Sequence, residues 1–284
     1  MNEAATIHAM PSQSLSSPKM KPRANSCRPI AGVGRVLLWH GASLWIGRAT
    51  SSVSVHSHHA IQITLALSGV VQLRDEGESW SDYAGALVPP HQRHQFDGCN
   101  QYVGQLFVEP ETVHGRALLE RYTAQAINRL PEEAIAPVAR SLRQAYEAGV
   151  TDAALIAAGQ RAVAALSGDV PVRRAVDPRI GRAIAFVQSR RGAPTTMAEA
   201  ARTAHLSPSR FRHLFMEQTG ISFRAYLLWT RVGSAVAAAM GGVSWTDAAQ
   251  DWGFADSAHL TRTCRRMFGL APSMLVREPN APKR

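Results

Sequence analysis

LSPSRFRHLFMEQTGISFRAYLLWTRV, residues 206–232, reads as the end of a turn, a complete short helix, a stop, and the start of a longer helix. Ser207-Pro208 supplies an N-cap hydroxyl followed by proline at the first helical position, the strongest helix-start dipeptide in the chain. Phe211, Leu214 and Phe215 then fall at spacings of three and four. One stripe is therefore buried, while Ser209, Arg210, Arg212, His213 and Glu217 project elsewhere. Thr219-Gly220 closes the helix, glycine supplying the positive φ favoured just past a helix end. Upstream, Thr196 and Glu199 make a capping-box pattern. Ala198, Ala200, Ala201 and Ala204 follow as small residues for a tightly packed helix ending near His205. The unit is helix, turn, helix.

The unit is written twice. Ser244 to Trp252 copies the first helix, Gly253-Phe254 the turn and Asp256 to Phe268 the second helix, and Gly220-Ile221 recurs 49 residues on as Gly269-Leu270. Both second helices carry a polar, basic face: Arg210, Arg212 and His213 in one, and His259, Thr261, Arg262, Arg265 and Arg266 in the other. Such a face suits a major groove, where arginine holds a guanine edge or a phosphate. Two helices and a turn also occur in proteins that never touch DNA, so charge has to decide. Residues 178–284 hold 15 Lys+Arg against 6 Asp+Glu, whereas residues 1–177 hold 16 against 15. The basic excess sits on the paired motif, as the footprint of a polyanion site should.

These residues resemble the AraC/XylS-type transcription regulators, whose DNA-binding domain has two helix-turn-helix motifs joined by a long helix. The likeness rests on the stretch quoted above and on AAQDWGFADSAHLTRTCRRMFGLAP, residues 248–272. It implies that both second helices enter successive major grooves, with Ser209, Arg212 and His213 reading bases in the first. Ser257, Ala258, His259, Thr261 and Arg262 are the matching positions in the second. The chain departs from the family pattern where Ala258 replaces a serine and Leu260 and Cys264 replace aromatic core residues. Lost aromatic volume in a core costs on the order of 1 to 4 kcal/mol unless neighbours refill it. The second motif is therefore expected to be the looser reader, with Trp252 and Met267 as compensating side chains.

At 284 residues and 45% hydrophobic composition the chain is long enough for two cored domains. Cys27, Cys99 and Cys264 have no paired spacing and are odd in number, which argues against a disulfide framework or a cysteine zinc site. No run approaches the roughly 18 apolar residues of a membrane span, and the N-terminus lacks an apolar signal core. The expected setting is the cytoplasm. Residues 1–28, rich in Ser, Pro, Ala and Lys, are expected to be a disordered tail.

From Arg35 short runs of Val, Leu, Ile, Trp and Thr punctuated by glycine predict strands at 35–40, 43–48, 53–58, 61–68, 70–74, 85–89 and 102–108. So many short strands suggest a sandwich or small barrel. On a strand, His56 and His58 share a face with Gln62, and His59 takes the other. Ile61, Ile63, Leu65 and Leu67 form an apolar side, and Gln62, Thr64, Ala66 and Ser68 a small, polar one. That alternation fits a sheet with one solvated face. It fits equally a roomy barrel interior in which His56, His58, Gln62 and a distant His94 converge on a ligand.

The spacing His56-x-His58-x3-Gln62-x6-Gly69, followed by Pro89-x4-His94, resembles the two short motifs of the cupin fold, a double-stranded jelly roll. Cupin-like sensor domains accompany many AraC/XylS-type regulators. Metal-binding cupins place a carboxylate where this chain has Gln62 and a glycine where it has His91. Three readings of the pocket stand side by side: a small organic effector site, a transition-metal site on His56, His58 and His94, and a face with no ligand. Trp39, Trp45, Trp80, Tyr83 and Phe96 are core candidates, and an aromatic wall beside Arg93 would suit a planar acid.

Helical periodicity follows Glu109-Pro110, through Val113, Leu118, Leu119 and Tyr122, with two further helices expected at 131–148 and 152–166. Leu118, Leu142, Leu155 and Val163 are candidates for buried positions. In the resembled family such helices lie against the sensor and commonly form the dimer contact. Polar residues 168–177 read as a linker. Ile180, Ile184 and Val187 line a first helix over 179–191, and residues 223–240 form the connecting helix, with Tyr226, Leu227, Trp229 and Val232 as core candidates. Met274 and Leu275 are expected to close the fold and residues 278–284 to fray.

The expected architecture is α+β in two domains: a cupin-like jelly roll with flanking helices over 29–167, and an all-α double helix-turn-helix domain over 178–284. The expected function is a sequence-specific DNA-binding transcription regulator, not an enzyme, whose N-terminal domain senses a small effector. Expected partners are double-stranded DNA, the effector and a second copy of the chain, with RNA polymerase as a further candidate and no membrane. A metal-dependent cupin enzyme with an accessory DNA-binding domain is the competing class; Gln62 and the lack of further paired acids speak against it. A constitutive DNA-binding protein with a ligand-free sensor is a third.

Overall fold

The computed structural model describes residues 30–122, 126–168, 175–190 and 193–278. The expected tail with Cys27, residues 169–174 of the expected linker, and residues 279–284 lie outside them.

The N-terminal half is a two-sheet sandwich with helices on one side. Its strands are β1 (Gly32–Trp39), β2 (Ala42–Ala49), β3 (Ile61–Ala66), β4 (Val71–Asp75), β5 (Ser81–Tyr83), β6 (Gly85–Val88), β7 (His94–Asp97), β8 (Gln101–Val108) and β9 (Asn128–Arg129). Three helices accompany them: α1 (Val113–Arg121), α2 (Glu132–Glu147) and α3 (Asp152–Ser167). The C-terminal half contains α4 (Pro178–Ser189), α5 (Met197–Thr203), α6 (Pro208–Thr219), α7 (Phe223–Met240), α8 (Trp245–Asp251) and α9 (Ser257–Phe268). It ends in a strand, β10 (Leu275–Arg277). The large sheet runs β10-β1-β2-β8-β3-β6-β9, and the small one β5-β4-β7.

Alternation along the strands divides the apolar side chains between two cores. On one face of the large sheet, Leu37, Leu44, Ile61, Ile63, Leu65 and Leu106 are buried beneath α1, α2 and α3. The four helical positions expected to be buried, Leu118, Leu142, Leu155 and Val163, lie in this core. Being filled by the chain's own sheet, they are not free to form a dimer contact. The opposite face carries Val36, Trp45, Val88, Val103 and Phe107, and meets the small sheet through Val71, Leu73 and Phe96. That second core does not end with the sandwich. It continues into Trp229, Val232 and Val236 of α7 and Leu260, Cys264 and Phe268 of α9. A third core, built on Ile180, Phe211, Phe215 and Tyr226, holds α4 to α6 against the start of α7.

The structure departs from the sequence expectations in three places and decides between two open readings in a fourth. Residues 53–58 form no strand and make only isolated bridges, Ser52 to Asp97 and His56 to His94. They line the mouth of the sandwich, where the Ser54 N–H donates to the Gly269 carbonyl of the helical half, so no second strand completes a ladder. Strands β5 and β7 are short and polar and escaped the pattern. The side of β3 bearing Gln62 and Thr64 is not a solvated face: both residues are buried in the sandwich interior. Finally, β10 pairs in parallel with β1, Leu275 against Gly32 and Arg277 against Gly34. The Glu278 N–H donates to the Gly34 carbonyl, which holds the first residue of the stretch expected to fray, while Met274 and Leu275 close the fold as expected.

A chain ended after Met274 loses that edge strand. We expect differential scanning calorimetry to split one unfolding transition into two as the halves uncouple; an unchanged single transition would show that β10 contributes nothing to docking.

Candidate functional site

The two helix-turn-helix units have the caps their sequences specify. Thr196 and Glu199 form a reciprocal capping box on α5, and Ser207 caps α6 by accepting from the Arg210 N–H. The intervening turn passes through His205 at φ 54°. In the second unit Ser244 caps α8, Gly253 turns at φ 74°, and Asp256 caps α9 by accepting from the His259 N–H. On α6, Ser209, Arg210, Arg212 and His213 are all exposed while Phe211, Leu214 and Phe215 are buried. On α9, Ser257, Ala258 and Arg262 are exposed. His259 and Thr261 are half-buried: the His259 ring stands 5.2 Å from Phe254, and the Thr261 hydroxyl donates to the Ser257 carbonyl. Leu260 and Cys264 fill the second core, with Trp252 and Met267 packed against it.

The other ends of these helices meet the sandwich. Trp45 and Phe107 on the sheet pack with Phe268 at ring separations of 4.7 and 5.8 Å, and Trp229 lies 5.8 Å from Phe268. Edge-on and tilted aromatic packing of this kind contributes about 0.5 to 1.5 kcal/mol per pair beyond area burial. Beside this seam stand His56, His58 and His94, all buried. The Nδ1 atoms of the three rings lie 2.9 Å from the carbonyls of Ser54, Ala60 and Gln92, respectively. A carbonyl only accepts, so each proton is on Nδ1 and each Nε2 presents a lone pair. Gln62 Oε1 is 3.0 Å from His58 Nε2 and 3.2 Å from His94 Nε2, and its amide nitrogen donates to Thr64. Burial, then the neighbouring His94 ring, holds His56 down to about 3 against the Ser54 carbonyl. His58 and His94 are likewise lowered, mainly by burial. The rings are neutral at physiological pH.

The structure thus brings together His56, His58, Gln62 and His94 but not Arg93, which is exposed and paired with Glu76. Trp80 and Tyr83 stack instead on Arg74 and Arg129. His56 and Gln62 border a cavity of about 80 Å³ that is also lined by Met240, Phe268 and Leu270. A larger cleft of about 800 Å³ opens between the halves, with Trp39, His40, Trp45, Glu109, Arg231 and Trp252 among its walls.

A polar network absent from the sequence reading crosses the same interface. The Tyr226 hydroxyl and the Gln188 amide both donate to Glu109 Oε2, at 3.1 and 3.2 Å, joining β8 to α4 and α7. Glu111, next along, accepts from buried His59 Nε2 at 2.8 Å. Arg116 of α1 donates to the Gln218 carbonyl of α6. Glu109-Pro110-Glu111 is a pair of acids that was visible in the sequence but not recognised as one. Its position just past a strand gave no sign that a helix 117 residues later would cover it. Burial, then the Glu111 charge, raises Glu109 to about 8.

Residues 200–278 match the family model described as a helix-turn-helix domain. No curated protein sequence matches the chain. Among solved structures, ToxT from Vibrio cholerae O395 is 14% identical, with a TM-score of 0.52 over 83% of this chain and 96% of that one. The same protein bound to (E)-4-(8-methylnaphthalen-1-yl)but-3-enoic acid is 14% identical and gives 0.50 over 82% and 97%. An AraC-type DNA-binding domain-containing transcriptional regulator from Chromobacterium violaceum is 20% identical over 34% of this chain and 87% of that one, at 0.32. The C-terminal part of the chain thus contains a helix-turn-helix domain, and its two-domain fold is similar to that of ToxT.

The raised Glu109 carries a pH prediction. The folded chain keeps a proton on this carboxyl that the unfolded chain releases near the ordinary value of 4.5. Unfolding therefore releases a proton between 4.5 and about 8, and stability falls as pH rises through that window, remaining low above it. Urea unfolding at pH 6 and pH 9 should show the loss, and Glu109→Gln should abolish it; equal slopes in the two proteins would refute the assignment.

Proposed function

We propose that this chain, whose C-terminal part contains a helix-turn-helix domain, is an AraC-type, sequence-specific DNA-binding transcription regulator modulated by a small effector held between its two domains. The observation that carries it is the double role of α6, α7 and α9. The exposed sides of α6 and α9 present Arg212 and Arg262, while α7 and the end of α9 close the mouth of the sandwich. Whatever changes that docking changes the placement of α9 relative to α6, and so the match to two successive major grooves. By linkage, an effector with higher affinity for one docked arrangement shifts the population toward it, and DNA alters effector affinity reciprocally.

Volume separates the two candidate seats for an organic effector. The cleft of about 800 Å³ is in the range of ordinary ligand sites, roughly 300 to 1,000 Å³; the cavity of about 80 Å³ beside the histidines is far below it. The cleft combines tryptophan faces with Arg231, which suits an amphipathic acid. ToxT, which shares the fold, has been solved with an arylbutenoic acid bound. The proposal includes a homodimer formed through the outward faces of α2 and α3, which light scattering checks, and RNA polymerase as a further contact. No helix among the described residues is long and apolar enough to cross a membrane. No catalytic step is part of this reading.

Selection from a random duplex pool tests it directly: one recurring motif is expected, and none would overturn the proposal. On that motif Arg212→Ala should cost about 1 to 3 kcal/mol and relax preference at one base position. Uniform weakening on every sequence would instead identify a phosphate contact. Arg262→Ala repeats the test for α9, and no loss there would mean that α6 alone reads DNA.

A further inference from the structure

Glu109 is a buried acid without a counter-charge, and it stands on the wall of the large cleft between the halves. Its donors, the Tyr226 hydroxyl and the Gln188 amide, are neutral, and the charge that acts on it is that of Glu111, another acid. The nearby cations are engaged elsewhere. Arg116 donates to the Gln218 carbonyl. Arg231, on the same cleft wall, lies against the turn of the second helix-turn-helix unit, where a Cβ on Gly253 would stand 3.5 Å from the guanidinium carbon. Buried His59 serves Glu111, and His40, also on the cleft wall, is exposed. Among the described residues Glu109 has no ion pair, and the buried Gln188 Oε1 beside it has no hydrogen-bond partner. Burial, then the Glu111 charge, keeps Glu109 protonated up to about pH 8.

The rest of the cleft is rich in aromatic faces. Four of the chain's six tryptophans, Trp39, Trp45, Trp229 and Trp252, line it. Indole is the side-chain face that attracts a cation most strongly, and a carboxyl beside such faces completes the chemistry that recognises a charged nitrogen. We propose that the cleft takes an amphipathic ligand bearing a primary ammonium, which pairs with Glu109 while the apolar body lies among the tryptophans. This inference rests on the reading of the cleft as the effector seat and narrows it: the amine is the required polar end, and an acid group directed at Arg231 adds to it without replacing it. A primary ammonium has three N–H donors, and Glu109 and Gln188 Oε1 are acceptors side by side for two of them. The buried acceptor that the protein leaves unmatched is costly until such a donor arrives.

Charge balance fixes the signature of binding. The free chain holds a proton on Glu109 and the ammonium-bound chain does not, so below about pH 8 binding releases one proton to solvent. An alkyl ammonium stays charged throughout, since its own value lies near that of lysine, about 10.4. Binding therefore tightens as pH rises toward 8 and levels off above it. Ionising Glu109 also bears on docking. Its donors Gln188 and Tyr226 come from α4 and α7, and hydrogen bonds to a carboxylate are roughly twice as strong as those to a neutral acceptor. The bound ammonium thus tightens the first helix-turn-helix unit against the sandwich.

Titration calorimetry on the full chain tests this with tryptamine and with tryptophol, its neutral isostere. At pH 8.5 tryptamine should bind at least about tenfold more tightly than tryptophol. Its affinity should rise at least about tenfold from pH 6.5 to 8.5, as the ionised fraction of Glu109 grows. At pH 6.5 the measured heat should vary with the ionisation enthalpy of the buffer, as release of one proton requires. Glu109→Gln keeps the side-chain shape and should bring the two probes to parity without pH dependence; Glu132→Gln, on the surface, should change nothing. Parity in the wild-type chain, or a preference for tryptamine that survives Glu109→Gln, overturns the ammonium seat. Binding without proton release does so from the wild-type chain alone, whether or not the variant folds. Indole-3-propionate separates the two readings: if it binds and tryptamine does not, the cleft remains the effector seat and its cationic end falls, whereas no binding by any of the three overturns both. Tryptamine should also change affinity for the selected duplex at least about fivefold in the wild-type chain and not in Glu109→Gln; tight binding with unchanged DNA affinity overturns the link to docking. Absence of sequence-specific DNA binding overturns the regulator reading, while calorimetry still decides the seat.

Discussion

The constraint on which the rest of this structure depends is that the sandwich cannot close its own interior. Its small sheet has three strands against seven, and the core between the sheets runs on past it into Trp229, Val232 and Phe268 of the helical half. Two rings of the large sheet pack on aromatic rings of the other domain, Trp45 on Phe268 and Phe107 on Trp229. The α7 helix thus has two tasks along its length. Phe223 and Tyr226 complete the core of the first helix-turn-helix unit, and Val232, Val236 and Met240 serve the sandwich and the second unit. Each aromatic pair in the seam contributes about 0.5 to 1.5 kcal/mol beyond area burial. Coupling free energies between ligand sites are typically of the same order, about 1 to 3 kcal/mol. A seam built from a few such pairs is strong enough to define one docked state and weak enough for a ligand to bias it.

Polar groups embedded in this apolar seam give it specificity. Buried polar atoms are costly unless paired, and here pairing requires both domains. Glu109 gets two of its donors, Tyr226 and Gln188, from the helical half. A slipped docking would leave its carboxyl buried without them. Arg116 and the Gln218 carbonyl add a third cross-domain bond near the end of α6, and the Ser54 N–H and the Gly269 carbonyl a fourth at the end of α9. The two helix-turn-helix units are therefore registered separately against the same sandwich, one near the acids and one near the histidines.

The units themselves differ in build. The first packs Phe211, Phe215, Phe223 and Tyr226 into a cluster of tilted and edge-on rings 5.2 to 5.5 Å apart. The second has Leu260 and Cys264 at the equivalent interior positions and draws Phe254, Trp252 and Met267 around them, with Phe268 reaching into the sandwich. The aromatic area missing from its own core is thus supplied in part by the sandwich, so the second unit depends on docking more than the first does.

Local chemistry made the helical half legible in the sequence. Caps at Thr196, Ser207, Ser244 and Asp256, stops at Gly220 and Gly269, and apolar spacings of three and four are interactions among residues a few positions apart, so they can be read without knowing the fold. The helix-turn-helix repeat, the extent of α7 and the exposed faces of α6 and α9 follow from them. The histidine cluster was half legible. The spacing from His56 to Gln62 placed three of the groups together, although the segment carrying two of them is not a strand. His94, 32 residues beyond Gln62, was included through a resemblance rather than a pattern. What only the tertiary structure decided was everything set by contact across long stretches of chain: the closing of the sandwich by α7 and α9, the Glu109 network, the exclusion of Arg93, and β10 laid beside β1. The physical reason is that burial belongs to a place and not to a residue. Glu109, His56 and Gln62 are polar side chains that would suit a surface equally well, and only packing between segments far apart in the chain removes them from water.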